Sequence, residues 1–365
     1  MVRTVPVKSL KPGMITAAPV LSKHGQVIVE PYKMLTIQMI AHIEFYGITS
    51  AKIEDGELPP EAIQSIADTR AAVDGYSHRI RESQEFQEFK ENYSKKVTFL
   101  ENSLNEFITK NIPFDKDALL NCTLDLFSKH STTISMFDML HNSRQISDST
   151  YAHSMNVAII SRMIGMWMNY NNAALETLTL GGLLHDIGKS RIPSEIINKP
   201  GYLTESEYAM VKQHTTLGYE ILKDHNLSPQ IKSIVLTHHE RCDGSGYPMG
   251  LTSSDIEDYS NIVAIADVYD AMTADRCYRS GICPFEVISI FEREGLGKYK
   301  PQFIMNFLEH IANTYINNDV LLSNGQHAKI ILINKRHLTR PVVQLQEHEF
   351  INLENRPELY VQSIL

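Results

Sequence analysis

The stretch Leu184-His185-Asp186-Ile187-Gly188-Lys189 decides how this chain folds. It follows the apolar run Leu178-Thr179-Leu180-Gly181-Gly182-Leu183, so three ionisable side chains stand at the end of an apolar helix. A buried charge or an unpaired buried imidazole is costly. Two arrangements satisfy His185 and Asp186: a structural His–Asp pair at a helix end, or a metal pocket. The hexapeptide alone leaves both open, and the other histidines separate them.

Of the 15 histidines, His153, His185, His214, His238 and His239 fall in the middle third of the chain. His153 and Asn156 stand one turn apart on a helix opened by Tyr151-Ala152. His214 shares a helical face with Met210 and Leu217. His238 and His239 end an apolar segment, and on a helix they diverge by about 100°. That angle is poor for chelating one ion but suits two ions, or an ion and a substrate. Asp267 closes the apolar run Ile262-Val263-Ala264-Ile265-Ala266. Taken singly, each has a mundane explanation: a satisfied core histidine, or an aspartate bonding backbone groups. Seven such residues on five helices of one bundle point to a metal site. Nitrogen and oxygen ligands without cysteine favour iron, manganese or zinc over a thiolate centre. Two ions roughly 3.5–4 Å apart need a bridging group. Asp186 suits that task better than Asp267, because histidines flank it from both directions.

The loop Glu240-Arg241-Cys242-Asp243-Gly244-Ser245-Gly246-Tyr247-Pro248 follows directly. Read alone it terminates a helix; after His238-His239 it reads as a pocket wall. Its glycines permit tight curvature near a ligand, and Tyr247 either supports the loop or stacks on a planar group. Arg276 and Arg279 are spaced as anion clamps or as solvated arginines. Lys189 either pairs with a surface acid or neutralises a phosphoryl oxygen.

The setting is a chain of 365 residues with 43% hydrophobic and 21% charged residues, long enough for two or three domains. A formal charge of -9 argues against a broad surface for DNA or RNA. No apolar run is long enough for a membrane span, and the N-terminus has no signal-peptide core. The four cysteines, Cys122, Cys242, Cys277 and Cys283, lack paired spacing, and a reducing cytoplasm is the expected location. The fold class is mainly α. Residues 1–60 form a small mixed α/β module, with strands near Val5–Leu10, Pro19–Leu21, Gln26–Val29 and Ile48–Ile53, and a helix from Thr36 to Tyr46. Residues 61–114 form a helical linker, polar at first and amphipathic over Val97–Ile108. Residues 115–320 form an all-helical metal-binding domain, with helices near 115–129, 132–141, 149–169, 172–184, 205–223, 229–240, 260–272, 284–294 and 301–315. Residues 321–365 form a short β-rich appendage, with strands at Ala328–Ile333, Pro341–Leu345 and Phe350–Leu353.

His185-Asp186-Ile187-Gly188-Lys189, His238-His239-Glu240 and Asp243-Gly244-Ser245-Gly246-Tyr247-Pro248 together resemble the HD-GYP family, a branch of the HD phosphohydrolase superfamily. The likeness spans about 145–315 and takes in Asn198-Lys199-Pro200-Gly201 and Asp275-Arg276-Cys277-Tyr278-Arg279. Leu10-Lys11-Pro12-Gly13-Met14 and the stretch from Asn334 to Leu345 are similar to extensions on some bacterial members. The resemblance implies a phosphodiesterase that opens cyclic di-GMP to linear pGpG, and in some members on to GMP. It implies metal ligands at His153, His185, Asp186, His214, His238, His239 and Asp267, with Asp186 as the bridge. It further implies a catalytic role for Asp186 and Lys189, with Lys189 on the scissile phosphate. Arg276 and Arg279 would hold the nucleotide, and Gly246, Tyr247 and Pro248 would shape the cleft. Ser149 stands where members with three metals carry a glutamate, so two divalent ions are expected, iron first and manganese second. Cys277 replaces a usual proline, and Lys300 a common acidic residue. Hydrolysis of another cyclic dinucleotide or guanosine nucleotide is the alternative, as is a cyclic di-GMP-binding module with little turnover. A homodimer or a signalling partner is left open.

Overall fold

The computed structural model describes residues 2–10, 14–21, 27–29, 31–33, 35, 43, 48–54, 83–110, 112–128, 136–137, 139–140, 149–199, 203–273, 282–345 and 349–365. Its architecture is mainly helical, with a small mixed module at the N-terminus and an antiparallel sheet at the C-terminus. Arg276, Arg279 and Cys277 lie outside the described residues, as do Pro200, Gly201 and, apart from Ile43, the expected helix from Thr36 to Tyr46.

In the N-terminal module, β1 (Val2–Pro6), β2 (Ile15–Thr16) and β5 (Ser50–Glu54) form a three-stranded antiparallel sheet in the order β1-β5-β2. β3 (Val20–Leu21) and β4 (Val27–Val29) make a separate hairpin pair. The first strand lies earlier than the Val5–Leu10 reading, because the chain turns into a 3-10 helix at Val7–Ser9. Val5, Ala51 and Ile53 point into a small core of their own with Leu35 and Ile43.

The helical body begins well before residue 115. Helix α1 (Gln84–Lys110) buries Phe86, Phe89, Tyr93, Val97, Leu100, Leu104 and Phe107 in the main core. The second half of the expected linker is therefore a packed helix with an apolar stripe at helical spacing. It is also tied by polar bonds: the Tyr93 hydroxyl lies 2.7 Å from Asn156 Oδ1 and 3.1 Å from the Ala152 carbonyl. Asn156 thus serves the helix packing, one turn from His153. Tyr93→Phe leaves these buried acceptors short of a donor, and is expected to destabilise the protein by about 1–3 kcal/mol. A denaturant midpoint at the parental value would remove this tie from the account.

The longer helices that follow among the described residues are α2 (Lys116–Ser128), α3 (Thr150–Trp167), α4 (Asn172–Leu184), α5 (Glu205–Lys212), α6 (His214–Leu222), α7 (Pro229–Thr237), α8 (Asp258–Thr273), α9 (Pro284–Ile290) and α10 (Pro301–Thr314). Met136, Phe137, Met139 and Leu140, from the expected segment 132–141, are helical and buried. Helices α3 and α8 are buried almost all round and form the centre. α4 lies very close to α3: a Cβ on Gly182 would stand 2.5 Å from Ala158 Cα. Ser149 caps α3 by accepting from Ala152 N, which gives its side chain a structural task. Lys300, just before α10, ion-pairs with Asp258 at 2.6 Å and bonds the Ile256 carbonyl.

Two expected helices differ in ways that matter for the site. The segment 205–223 breaks at Gln213 into α5 and α6, so Met210 is exposed while His214 is buried. The shared face read for them does not survive the break. The segment 229–240 ends at Thr237, with His238 as its C-cap. Beyond α9, residues Phe291–Gly295 form a π turn, where Glu292 accepts from Leu338 N at 3.2 Å and from Thr339 Oγ1 at 3.3 Å.

Those two bonds help hold the C-terminal sheet to the helices. The sheet is antiparallel in the order β10-β6-β7-β8-β9, from β6 (Asp319–Leu322), β7 (His327–Leu332), β8 (Val342–Gln344), β9 (Phe350–Asn352) and β10 (Val361–Ile364). Strands β6 and β10 were not read from the sequence. They pair with each other across nearly forty residues, which no local pattern reveals. Val320, Leu322, Ile330, Val343 and Val361 join the main helical core.

Candidate metal centre

Five helices deliver polar side chains to one buried point. His153 comes from the first turn of α3, and His185 caps α4. Asp186 follows at the mouth of the 3-10 turn Ile187–Arg191. His214 opens α6, His238 caps α7, His239 follows it, and Asp267 lies within α8. His185, His214 and His238 are almost fully buried.

Potential ligand atoms gather in two triads, His214-His238-His239 and His153-His185-Asp267, with a third group, His185-Asp186-His238, between them. Within each, the ligand atoms lie within 4.8 Å of one another. The adjacent His238 and His239 therefore reach the same point, contrary to the divergence read from helical geometry. The helix has ended by then, so the 100° rule does not apply to them. Asp186 faces both triads. Its Oδ1 is 3.4 Å from His214 Nε2, while its Oδ2 is 3.3 Å from His185 Nε2 and 2.5 Å from Lys189 Nζ.

The backbone sets the ring tautomers. His185 Nδ1 is 2.8 Å from the Gly182 carbonyl, His214 Nδ1 is 2.7 Å from the Val211 carbonyl, and His238 Nδ1 is 3.1 Å from the carbonyls of Ile234 and Val235. A carbonyl only accepts, so each Nδ1 carries the proton and each ring turns its Nε2 into the site. Burial lowers the pKa of His214 and His238, and lowers His239 to about 3, keeping all three rings neutral. The Nε2 atoms of His214 and His238 nevertheless approach to 3.2 Å. His185 Nε2 and Asp186 Oδ1 are buried without a hydrogen bond. Facing lone pairs and an orphaned carboxylate oxygen in one pocket suit a cation, and the donor set fits a divalent metal.

His153 differs. Its Nε2 bonds Asp267 Oδ1 at 3.0 Å and its Nδ1 bonds Asp270 Oδ2 at 2.8 Å. Burial opposes its charge, but the hydrogen bonds to Asp267 and Asp270 outweigh burial and hold its pKa up to about 10. Burial would raise the two carboxyls; the charge of Lys189 instead helps draw Asp186 well down, as the hydrogen bond and charge of His153 do Asp267. Asp270 orients His153, a role that the sequence analysis did not assign. Its signal was the spacing from Asp267, three residues and one turn along α8. Metal uptake at His153 must displace its Nε2 proton, whereas His214, His238 and His239 have none to lose. Apparent affinity should rise about tenfold per pH unit between roughly 6 and 9. Competition against a chromophoric chelator at several pH values checks this, and a flat profile would contradict it.

The loop after His239 is shaped by Glu240, a nearly fully buried carboxylate that the sequence reading left without a role. It accepts from Met249 N at 2.7 Å and from Leu251 N at 2.9 Å, folding residues 241–251 back on themselves. Gly246 is needed at the crossing, since a Cβ there would stand 2.4 Å from Arg241 N. The fold brings Tyr247 onto His239, stacked with ring centroids 4.7 Å apart at 27°. Pro248 follows Tyr247 in that loop.

A family model described as HD domain matches residues 119–303, half of the chain. The chain belongs to the HD-domain family. This HD-domain protein is 34% identical over 197 residues to a cyclic di-GMP phosphodiesterase of Pseudomonas aeruginosa, covering 54% of this chain and 47% of that one. It is 35% identical over 218 residues to a cyclic di-GMP phosphodiesterase of Thermotoga maritima, covering 59% and 54%. A 3'3'-cGAMP-specific phosphodiesterase of Vibrio cholerae is 40% identical over 148 residues, covering 40% and 34%. The HD-domain chain spans about half the length of the first two relatives. In fold it is similar to a HDG"Y"P protein from Bdellovibrio bacteriovorus, with a TM-score of 0.51 at 16% identity, covering 85% of this chain and 99% of that one. Among the described residues, no helix is long and apolar enough to cross a membrane.

Proposed function

We propose that this protein is a metal-dependent phosphodiesterase that hydrolyses cyclic di-GMP to linear pGpG, with GMP as a further product. The observation that carries the reading is the position of Asp186, whose two oxygens face two different sets of imidazoles. Two divalent ions, iron first and manganese second, would be held by His153, His185, Asp186, His214, His238, His239 and Asp267, with Asp186 as the bridge. When bound, such ions supply Lewis acidity and a water activated at neutral pH.

The chain's own groups do the rest. Lys189, held against Asp186, stands ready to meet a phosphoryl oxygen and offset charge developing on it. The folded loop with Gly246, Tyr247 and Pro248 walls the cleft and limits water beside His239. Arg276 and Arg279 are assigned to the nucleotide phosphates by family resemblance. The Nδ1 bonds to backbone carbonyls fix His185, His214 and His238 before any ligand arrives, so the site is preorganised. Support for the substrate comes from the two cyclic di-GMP phosphodiesterases among the relatives. The 3'3'-cGAMP-specific relative at 40% identity favours a second reading, in which the hybrid cyclic dinucleotide is the substrate.

Protein purified without oxygen should carry close to two divalent ions per chain. It should convert cyclic di-GMP faster than 3'3'-cGAMP, with pGpG appearing first by chromatography. Preference for the hybrid substrate would establish the second reading. Tight cyclic di-GMP binding with no product would reduce the protein to a binding module.

A further inference from the structure

A ridge of alternating aromatic and cationic groups leads outward from the metal centre. Tyr247 stacks on His239, and Lys212 Nζ lies 5.9 Å from the Tyr247 ring centroid. The same Nζ is 5.1 Å from the ring centroid of Tyr208, one turn earlier on α5. Tyr208 is half open to solvent, at 50% exposure.

The charges around this ridge are unequal. Lys189 is paired with Asp186 and Lys199 with Glu207, the latter also closing the capping box of α5. Among the described residues no carboxylate pairs with Lys212. Contact with two rings steadies an ammonium group without neutralising it, and leaves its N–H donors available. A cation so placed next to the cleft suits an anion, and an open tyrosine face suits a planar base.

A cyclic dinucleotide has two phosphodiester groups and two bases. If one phosphodiester is cleaved at the metal centre, the other half of the ring needs a separate hold. We infer that Lys212 and Tyr208 form this second subsite, Lys212 binding the phosphate that is not cleaved and Tyr208 stacking on a base. This assignment rests on the function proposed above.

The test compares Lys212→Gln, Lys212→Arg, Tyr208→Ala and Tyr208→Trp in the metal-loaded full chain. Lys232→Gln, far from the ridge in sequence and bonded to the Lys223 carbonyl, serves as the control. KM and kcat are measured with cyclic di-GMP and 3'3'-cGAMP, and metal content is measured alongside. Lys212→Gln and Tyr208→Ala should raise KM about tenfold with little change in kcat, the loss of roughly one charged or stacking contact. Lys212→Arg and Tyr208→Trp should recover most of that loss, because each keeps the contact. Parental KM in both deletion variants overturns the subsite, as does a KM increase that tracks loss of metal. If the parent protein itself turns over neither dinucleotide, the proposed function fails first and the subsite with it.

Discussion

Replacing Asp186 with alanine is expected to remove bound metal and the proposed phosphodiesterase activity together, with turnover falling on the order of a thousandfold or more. Asp186 is buried, and its two oxygens look toward both triads. Removing it takes a ligand from each side of the centre and frees Lys189 from its 2.5 Å contact. Electrostatic consequences are concentrated because these side chains are buried, where an unpaired charge is costly. Metal content by elemental analysis and turnover of cyclic di-GMP should fall in step. His185→Ala should behave alike, since its Nε2 lone pair is another buried atom without a hydrogen bond. Cyclic di-GMP hydrolysis at the parental rate in either variant would defeat the assignment.

Gly188→Ala should be almost as damaging, although it removes no ligand. A Cβ on Gly188 would stand 1.9 Å from the His214 carbonyl oxygen and 2.5 Å from Gly218 N. Both are backbone atoms of α6, so no side-chain rotation relieves the clash. The turn carrying Asp186 must move away from the helix carrying His214, opening the 3.4 Å approach between them. Overpacking of this kind costs about 3 kcal/mol or more, which corresponds to a fall in melting temperature of roughly 6–12 °C. Metal affinity should drop as well, because ligands displaced by an ångström lose their geometry. Gly297→Ala is the natural contrast, since a Cβ there meets nothing within 4 Å. A Gly188→Ala protein with parental melting temperature and metal content would show that this approach is not rigid.

Much of the centre was legible because its chemistry is local. His185-Asp186 follows an apolar helix, and the other candidate ligands sit in segments with clear helical periodicity. The fold class was legible for the same reason, since α3, α4 and α8 are apolar around most of their circumference. What escaped was the behaviour of helix ends. The break at Gln213 separates Met210 from His214, and termination at Thr237 turns His239 back toward its neighbour. Both depend on tertiary contacts, of which the close approach of Gly188 to His214 is one. Asp270 and Glu240 escaped because a buried carboxylate looks like a surface one until its partners are known. Those partners are His153, over a hundred residues away, and two backbone amides across a loop.

The sequence by itself determined which residues have metal-binding chemistry, that helices carry them, and that small mixed and β-rich segments flank those helices. Periodicity and side-chain type are written residue by residue, so they need no fold to be read. Only the tertiary structure decided that Asp186 has one oxygen for each set of imidazoles, and that His238 and His239 converge. It alone made α1 part of the helical core and closed β10 onto β6. These features depend on distances between segments far apart in the chain, and such distances are set by packing and by the demand that buried polar groups find partners.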